Sequence, residues 1–227
     1  MTVRDNLQII GAKLDQFAQQ YQRRASDIQL LAVSKRHSVA AIREAYKAGQ
    51  TTFGENYVQE LLDKAEQLSD LNIKWHFIGP LQSNKTKKIA AVADWIHTID
   101  RIKIAQRLND QRPAELPKLN ICIQVNISEE SSKSGILAED IFTFAKEVSN
   151  LPKLNLRGLM VIPVAESDLF KQRQVFAKAA NLLVQLNKKG FNLDTLSMGM
   201  SGDMEAAIAE GATIVRIGTA IFGKRET

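Results

Sequence analysis

Eight apolar runs recur along this chain, each separated from the next by a stretch with helical spacing. That alternation constrains the fold more than any other feature. The runs lie at 28–34, 51–54, 73–78, 95–98, 119–127, 156–162, 195–199 and 213–217. Helical patterns fall near 38–49, 56–68, 84–92, 101–110, 137–149, 168–188 and 203–210. Several runs are nearly continuous in Val, Ile, Leu or Met, as expected of strands buried on both faces of a parallel sheet. Eight such strands alternating with helices predict an α/β fold, a single (β/α)8 TIM barrel over 1–227 with an extra N-terminal helix. A doubly wound open sheet is the alternative, but no G-x-G-x-x-G follows the first strand. A P-loop, a zinc-spaced Cys/His set and H-E-x-x-H are also missing from the sequence. Helix punctuation agrees with the barrel. Ser38 stands at the cap position before 39–49, which ends in Gly49, and Asp203 and Gly211 bracket the last long pattern in the same way.

Composition narrows the class. Apolar residues make up 44% and charged residues 24%, ordinary for a soluble globular protein. No run of uncharged apolar residues is long enough to span a bilayer. Residues 1–24 carry acids and amides throughout and read as an amphipathic helix, not a signal peptide. The one cysteine, Cys122, sits in an apolar run and is expected to be a small buried hydrophobe. These features together predict a cytoplasmic protein, so the glycosylation-like Asn126-Ile127-Ser128 reads as coincidence. The net charge of +5 suits an anionic ligand. Lys85, Lys87 and Lys88 form the densest basic cluster and read as a solvated helix start, with no aromatic ladder to stack bases. Neither a nucleic acid nor a membrane is expected as a partner.

Lys35 closes the first strand. In a βα barrel the strand C-termini carry the chemistry. An amine held there and partly desolvated becomes a nucleophile able to form a Schiff base with an aldehyde, whereas a strand-end lysine with no such role is a solvated charge. The stretch Ser197-Met-Gly-Met-Ser-Gly-Asp203 follows strand seven, and Arg216-Ile-Gly-Thr219 ends strand eight. Loops after strands seven and eight form the common phosphate site of this barrel. Ser197, Ser201 and Thr219 offer hydroxyls there and Gly218 a backbone amide, the alternative being a pair of ordinary turns. Asn56, after strand two, is a site candidate or the cap of the helix that follows. His76, inside an apolar strand, is a site candidate or a packed, hydrogen-bonded core residue.

Seven segments resemble one known family across nearly the whole chain. They are Leu31-Ala-Val-Ser-Lys35, Phe53-Gly-Glu-Asn-Tyr-Val-Gln-Glu60, Trp75-His-Phe-Ile-Gly79 with Leu81-Gln-Ser-Asn-Lys85, Ser132-Lys-Ser-Gly135, Arg157-Gly-Leu-Met160, Leu196-Ser-Met-Gly-Met-Ser201 and Arg216-Ile-Gly-Thr-Ala-Ile-Phe-Gly223. In this order they are similar to the pyridoxal phosphate homeostasis protein family. The resemblance implies a barrel like the N-terminal domain of alanine racemase, with pyridoxal 5′-phosphate (PLP) as cofactor. It places the Schiff base on Lys35 and the phosphate on Ser201, Gly218 and Thr219, with Ser197 nearby. Arg216 faces the pyridine nitrogen, Asn56 the ring hydroxyl, and His76 the ring wall.

The same resemblance implies a role in intracellular PLP homeostasis. A guanidinium cannot accept a proton, so Arg216 disfavours the pyridinium form that is the strongest electron sink. Alanine racemase also uses a second domain that contributes a tyrosine base, and about ten residues follow strand eight here. The expectation is therefore a non-enzymatic carrier or regulator, monomeric, with apo-PLP enzymes as recipients. A low-activity PLP-dependent racemase and a Schiff-base aldolase stand as alternatives. The polar loop 129–135 is the expected mobile cover over the cofactor.

Overall fold

Strands buried on both faces can form an open sheet or a closed one, and here they close on themselves, which removes every edge. The computed structural model describes residues 1–128, 130 and 134–223. Eight strands run in chain order: β1 (Gln29–Val33), β2 (Thr52–Glu55), β3 (Lys74–Phe77), β4 (Trp95–Ile99), β5 (Leu119–Val125), β6 (Leu154–Val161), β7 (Thr195–Ser197) and β8 (Ile214–Ile217). Every neighbour pair is parallel, and β8 pairs back onto β1 with Leu31 opposite Arg216, closing the barrel. All eight expected strands are present, in order. β6 begins two residues before the expected 156, because Leu154 and Asn155 pair with Leu119 and Asn120.

The helices are α1 (Val3–Gln20), α2 (Val39–Lys47), α3 (Val58–Gln67), α4 (Thr86–Val92), α5 (Ile102–Gln111), α6 (Ile141–Ser149), α7 (Leu169–Lys188), α8 (Met204–Ala209) and α9 (Thr219–Phe222). The N-terminal amphipathic helix forms as expected. Thr2 and Asp5 make a capping box at its start, and Ile10, Leu14 and Ala18 bury one face at four-residue spacing. The short α9 was not legible as a helix. Asn6 of α1 holds it by donating to the Ile221 carbonyl at 2.8 Å. α6 starts four residues later than the pattern at 137 suggests, with Asp140 at its cap position.

An apolar outer layer and a mixed interior hold the barrel. The outer layer lies between strands and helices and includes Phe53, Phe77, Ile96, Ile121 and Phe176, all buried. The barrel interior is less apolar than the strand sequences suggest. His76, His97, Ser197, Arg216 and Cys122 are all buried. Cys122 thus occupies the interior position expected of a small hydrophobe, and burial pushes its thiol up to about 12. Among the described residues no helix is long and apolar enough to cross a membrane.

Candidate functional site

Lys35 follows β1 by two residues and is half-buried at the C-terminal mouth of the barrel. A side chain added at Gly54 would touch Leu31, so Leu31 faces the interior and the period of two puts Val33 on the same side, while Lys35 lies in the turn just beyond the strand end. The turn that presents Lys35 is tightly held. The His37 amide donates to the Ser34 carbonyl at 3.0 Å. Arg36 has φ 60, the left-handed region, which costs an L-residue about 1–2 kcal/mol unless other contacts impose it.

Those contacts come from α3. The Lys64 ammonium donates to the Ser34 carbonyl at 2.8 Å, to Glu55 Oε1 at 2.8 Å and to Glu60 Oε1 at 2.7 Å. All three of its protons are thereby used. The Arg36 amide donates to Glu60 Oε1 at 2.5 Å, and the Ser34 hydroxyl to Glu55 Oε1 at 2.6 Å. The Glu55 side chain is fully buried, and burial raises its carboxyl to about 7 against the opposing pull of Lys64. Lys64 and Glu55 lie in segments that the sequence pattern reads simply as helix and strand. The signal that could have singled them out is the pair of acids four before and nine before the lysine, reaching one ammonium from two elements.

A second polar assembly runs through the barrel interior. Arg216 donates to Ser197 Oγ at 2.9 Å and to the Val161 carbonyl at 3.0 Å. Ser197 Oγ lies 2.8 Å from His97 Nδ1, and His97 Nε2 lies 2.9 Å from His76 Nδ1. Arginine only donates, so the serine proton is left for His97 Nδ1. His97 then carries its proton on Nε2 and gives it to His76 Nδ1. Burial holds His76 down to about 3 and His97 well below the usual imidazole value, so both rings are neutral. His76 also stacks on Trp95, with centroids 5.4 Å apart and planes 4° from parallel. Below, Arg157 lies 4.9 Å over the Trp95 ring and forms a two-point ion pair with Asp194. Burial lowers Arg216 to about 10, opposed by Asp203, which leaves it charged at neutral pH.

The expected site residues therefore occupy two levels. At the rim are Lys35, Asn56, Ser201, Gly218 and Thr219, with Ser201 and Thr219 exposed and the others half-buried. Within the barrel are Arg216, Ser197 and His76. Ser197 ends β7 and turns its hydroxyl inward to His97 and Arg216. His76 is a packed, hydrogen-bonded core residue, the second of its two sequence readings. His97 was missed, although its pattern matches His76: one imidazole at an alternate position of a buried strand.

On the β2–β4 side of the mouth there is an open space, and of the expected site residues Asn56 lines it while Lys35, Ser201, Gly218 and Thr219 do not. A cavity of about 470 Å³ is lined there by Asn56, Ile78, Thr98, Gln124 and Arg101 among others. A cleft of similar size, about 500 Å³, lies far from the mouth between α1 and α2, against Arg4, Leu7 and Lys47. It lies beside the starts of β1 and β2, at Leu30 and Gln50, whereas the chemistry of this fold sits at strand C-termini, so the mouth is the chemical candidate. Asn56 Oδ1 is buried and has no hydrogen-bond partner among the described residues. Asn56 is held by close backbone contact, since a side chain at Gly79 would collide with the Asn56 carbonyl. At Gly218 an added Cβ would sit 3.1 Å from the Val33 carbonyl, a tight contact that a larger residue would meet only by shifting its neighbour. Of the expected covering loop, Glu129 and Ser131–Lys133 lie outside the described residues.

Residues 11–226 match the family described as alanine racemase, N-terminal domain. The pyridoxal phosphate homeostasis protein of Pseudomonas aeruginosa is 53% identical over 225 residues, covering 99% of this chain and 96% of the relative. The chain belongs to the pyridoxal phosphate homeostasis protein family. The Escherichia coli K12 member is likewise 53% identical, over 97% of this chain and 96% of its own length. Among solved structures, PipY of Synechococcus elongatus with PLP bound superposes with a TM-score of 0.84 at 37% identity, over 98% of this chain and 100% of that one. Alanine racemase from Corynebacterium glutamicum shares the fold, with a TM-score of 0.73 at 15% identity, over 98% of this chain and 61% of that one.

Proposed function

We propose that this protein binds pyridoxal 5′-phosphate at the C-terminal mouth of its barrel, with Lys35 as the covalent anchor, and serves PLP homeostasis as a carrier, not as an enzyme. The observation that carries this reading is the family relationship to a full-length relative whose structure holds PLP. The residues at the mouth fit the group. Asn56 Oδ1 is buried without a hydrogen-bond partner among the described residues, so its side-chain amide, which can also donate an N–H, is available to the ring hydroxyl oxygen. Ser201 and Thr219 hydroxyls and the Gly218 backbone take the phosphate, each charge-assisted bond contributing about 1.5–3 kcal/mol.

When bound, PLP supplies an aldehyde for an amine and a ring that withdraws electrons. Lys35 provides the amine. Arg216, charged and unable to accept a proton, is the residue that would face the ring nitrogen and would disfavour its protonation. Ser197 and His97 hold Arg216 in place, and His76 supports them from below. An unprotonated ring is a weak electron sink, and the named relatives are homeostasis proteins. The arginine blunts such chemistry without forbidding it, since alanine racemase makes the same choice, so the relatives' names carry the preference for holding PLP over reacting through it. The reading includes a monomer that passes PLP to apo-PLP enzymes.

Purified protein loaded with PLP tests the anchor. A visible absorption band lost on borohydride treatment and missing in Lys35→Ala is expected, and peptide mapping that puts the reduced adduct on another lysine overturns it. Ser201→Ala with Thr219→Ala is expected to weaken PLP retention at least about tenfold and to affect pyridoxal, which lacks phosphate, much less. Transfer of PLP to an apo-enzyme in a mixed assay is expected. Robust racemisation or transamination that disappears in Lys35→Ala would overturn the carrier reading.

A further inference from the structure

Two peptide groups flank the Cα of Lys35: one carries the Ser34 carbonyl, the other the Arg36 amide. Rotation about the bonds between them sets φ and ψ of Lys35, and so the direction in which its side chain leaves the backbone. Both groups are held by the same pair on α3. Lys64 donates to the Ser34 carbonyl at 2.8 Å, and Glu60 accepts from the Arg36 amide at 2.5 Å. Lys64 and Glu60 are themselves joined at 2.7 Å, one helical turn apart. The Lys64 side chain is only 7% exposed, and Glu55 anchors it from β2. Ser34 carries a second tie, its hydroxyl on Glu55.

We infer that Glu60 and Lys64 are positioning residues that fix the aim of Lys35 by gripping the peptide groups on either side of it. The inference rests on the reading of Lys35 as the PLP anchor. Neither residue touches the cofactor in this role. Their effect is to fix the direction in which the Lys35 side chain leaves the backbone before PLP arrives, which narrows the region its amine samples and speeds attachment. Charge brings the two α3 residues together, while neutral acceptors and donors of the backbone receive them. An exposed lysine on a flexible turn would have to search for the aldehyde. A lysine with both flanking peptides fixed searches through its side-chain torsions alone.

Two measurements on the full-length protein decide it. The first needs no cofactor: hydrogen exchange of the Arg36 amide, followed by NMR. Glu60→Ala removes the acceptor and is expected to speed exchange at least tenfold. Glu60→Gln keeps an oxygen in the same place and is expected to restore most of the protection. The second is the rate at which the PLP absorption band appears. Glu60→Ala is expected to slow it about tenfold, Glu60→Gln much less, with the thermal midpoint of all three proteins alike. Lys64→Met is expected to slow attachment at least as much. If that variant does not fold, the half-buried Glu60 pair still decides. Unchanged Arg36 exchange in Glu60→Ala overturns the clamp. Faster exchange with an unchanged attachment rate shows that the clamp does not aim Lys35, and overturns the inference as well. A band that persists in Lys35→Ala defeats the anchor reading instead, an outcome the exchange data do not produce.

Discussion

Two buried polar assemblies meet at the mouth of this barrel, and they solve the same problem with opposite chemistry. The column inside the barrel, His76–His97–Ser197–Arg216, uses neutral groups passing one proton each from neighbour to neighbour, with a single charge at its upper end. The seam between β1, β2 and α3 uses ions, with Lys64 between Glu55 and Glu60. Inside the barrel no carboxylate lies within ion-pair reach of the imidazoles among the described residues, so desolvation leaves both of them uncharged. At the seam, α3 can carry both signs at four-residue spacing, so charges are buried in pairs. The column ends on Arg216 of β8, and the seam ends on the turn of Lys35 after β1. β8 and β1 are neighbours, with Arg216 level with Leu31. The candidate site residues Lys35 and Arg216 are thus set by separate supports at adjacent strands.

Breaking the column is expected to cost most. His97→Ala strips Ser197 and His76 of their shared partner in a fully buried place and leaves a cavity. Unpaired buried groups cost about 1–3 kcal/mol each and the cavity adds to that, so a loss of about 3–5 kcal/mol in urea unfolding is expected. A loss below about 1 kcal/mol would mean that the column is not a connected support.

The seam is expected to be softer. Removing one member of a buried ion pair commonly costs about 3–5 kcal/mol, because the other charge is stranded. Here the stranded group would be Glu55, whose carboxyl already sits at about 7 and takes up a proton with little penalty. Lys64→Met is therefore expected to cost about 2–3 kcal/mol at neutral pH, and Glu55→Gln in that background to recover part of it. An additive loss in the double variant would remove the proposed difference between the assemblies.

Acid sharpens the contrast, because the signs differ. The column imidazoles have native values far below the unfolded 6.5. Between those values the unfolded chain binds more protons, so the column's contribution is intact above pH 6.5 and is lost as pH falls, by up to about 1.4 kcal/mol per pH unit for each ring. Glu55 is shifted upward, from 4.5 to about 7. There the native state binds the extra proton, so stability from this group is greatest below pH 4.5 and declines as pH rises towards 7. Two rings outweigh one carboxyl, and net stability is expected to fall from pH 6.5 to pH 5. Glu55→Gln removes the opposing contribution and is expected to steepen that fall. Urea unfolding at several pH values checks it, and a shallower fall in Glu55→Gln would show that the Glu55 shift has the other sign.

The sequence makes the barrel legible but not these assemblies, and the reason is physical. Continuous Val and Ile runs declare strands buried on both faces, and eight of them in alternation with helices leave few topologies. Lys35 is legible because a strand end is a local feature. Contacts in the column are not local: His97 and Ser197 are one hundred residues apart and meet only when the sheet closes. Lys64 looks like one of several charges on α3, and only the placement of Ser34 and Glu55 beneath it turns it inward. The barrel's polar interior was hidden for the same reason. A histidine in an apolar strand shows its burial in the sequence, but not its partner.

The smallest expected effect separates backbone from side chain at the seam. Arg36 holds φ 60, its guanidinium lies 5.8 Å over the Tyr57 ring, and its amide donates to Glu60. Glycine at this position relieves the left-handed strain of about 1–2 kcal/mol. It also gives up an exposed cation–π contact of about 0.5–1 kcal/mol and loosens the unfolded chain by about 0.4–1 kcal/mol. These contributions nearly cancel, so Arg36→Gly is expected to change stability by less than about 0.5 kcal/mol. Glycine keeps the amide that Glu60 holds. The rate of PLP attachment is therefore expected to stay within about twofold of the unaltered protein, in contrast to Glu60→Ala. A tenfold drop in Arg36→Gly would mean that the seam acts on Lys35 through the guanidinium and its stacking on Tyr57, and not through the backbone that the two assemblies otherwise divide between them.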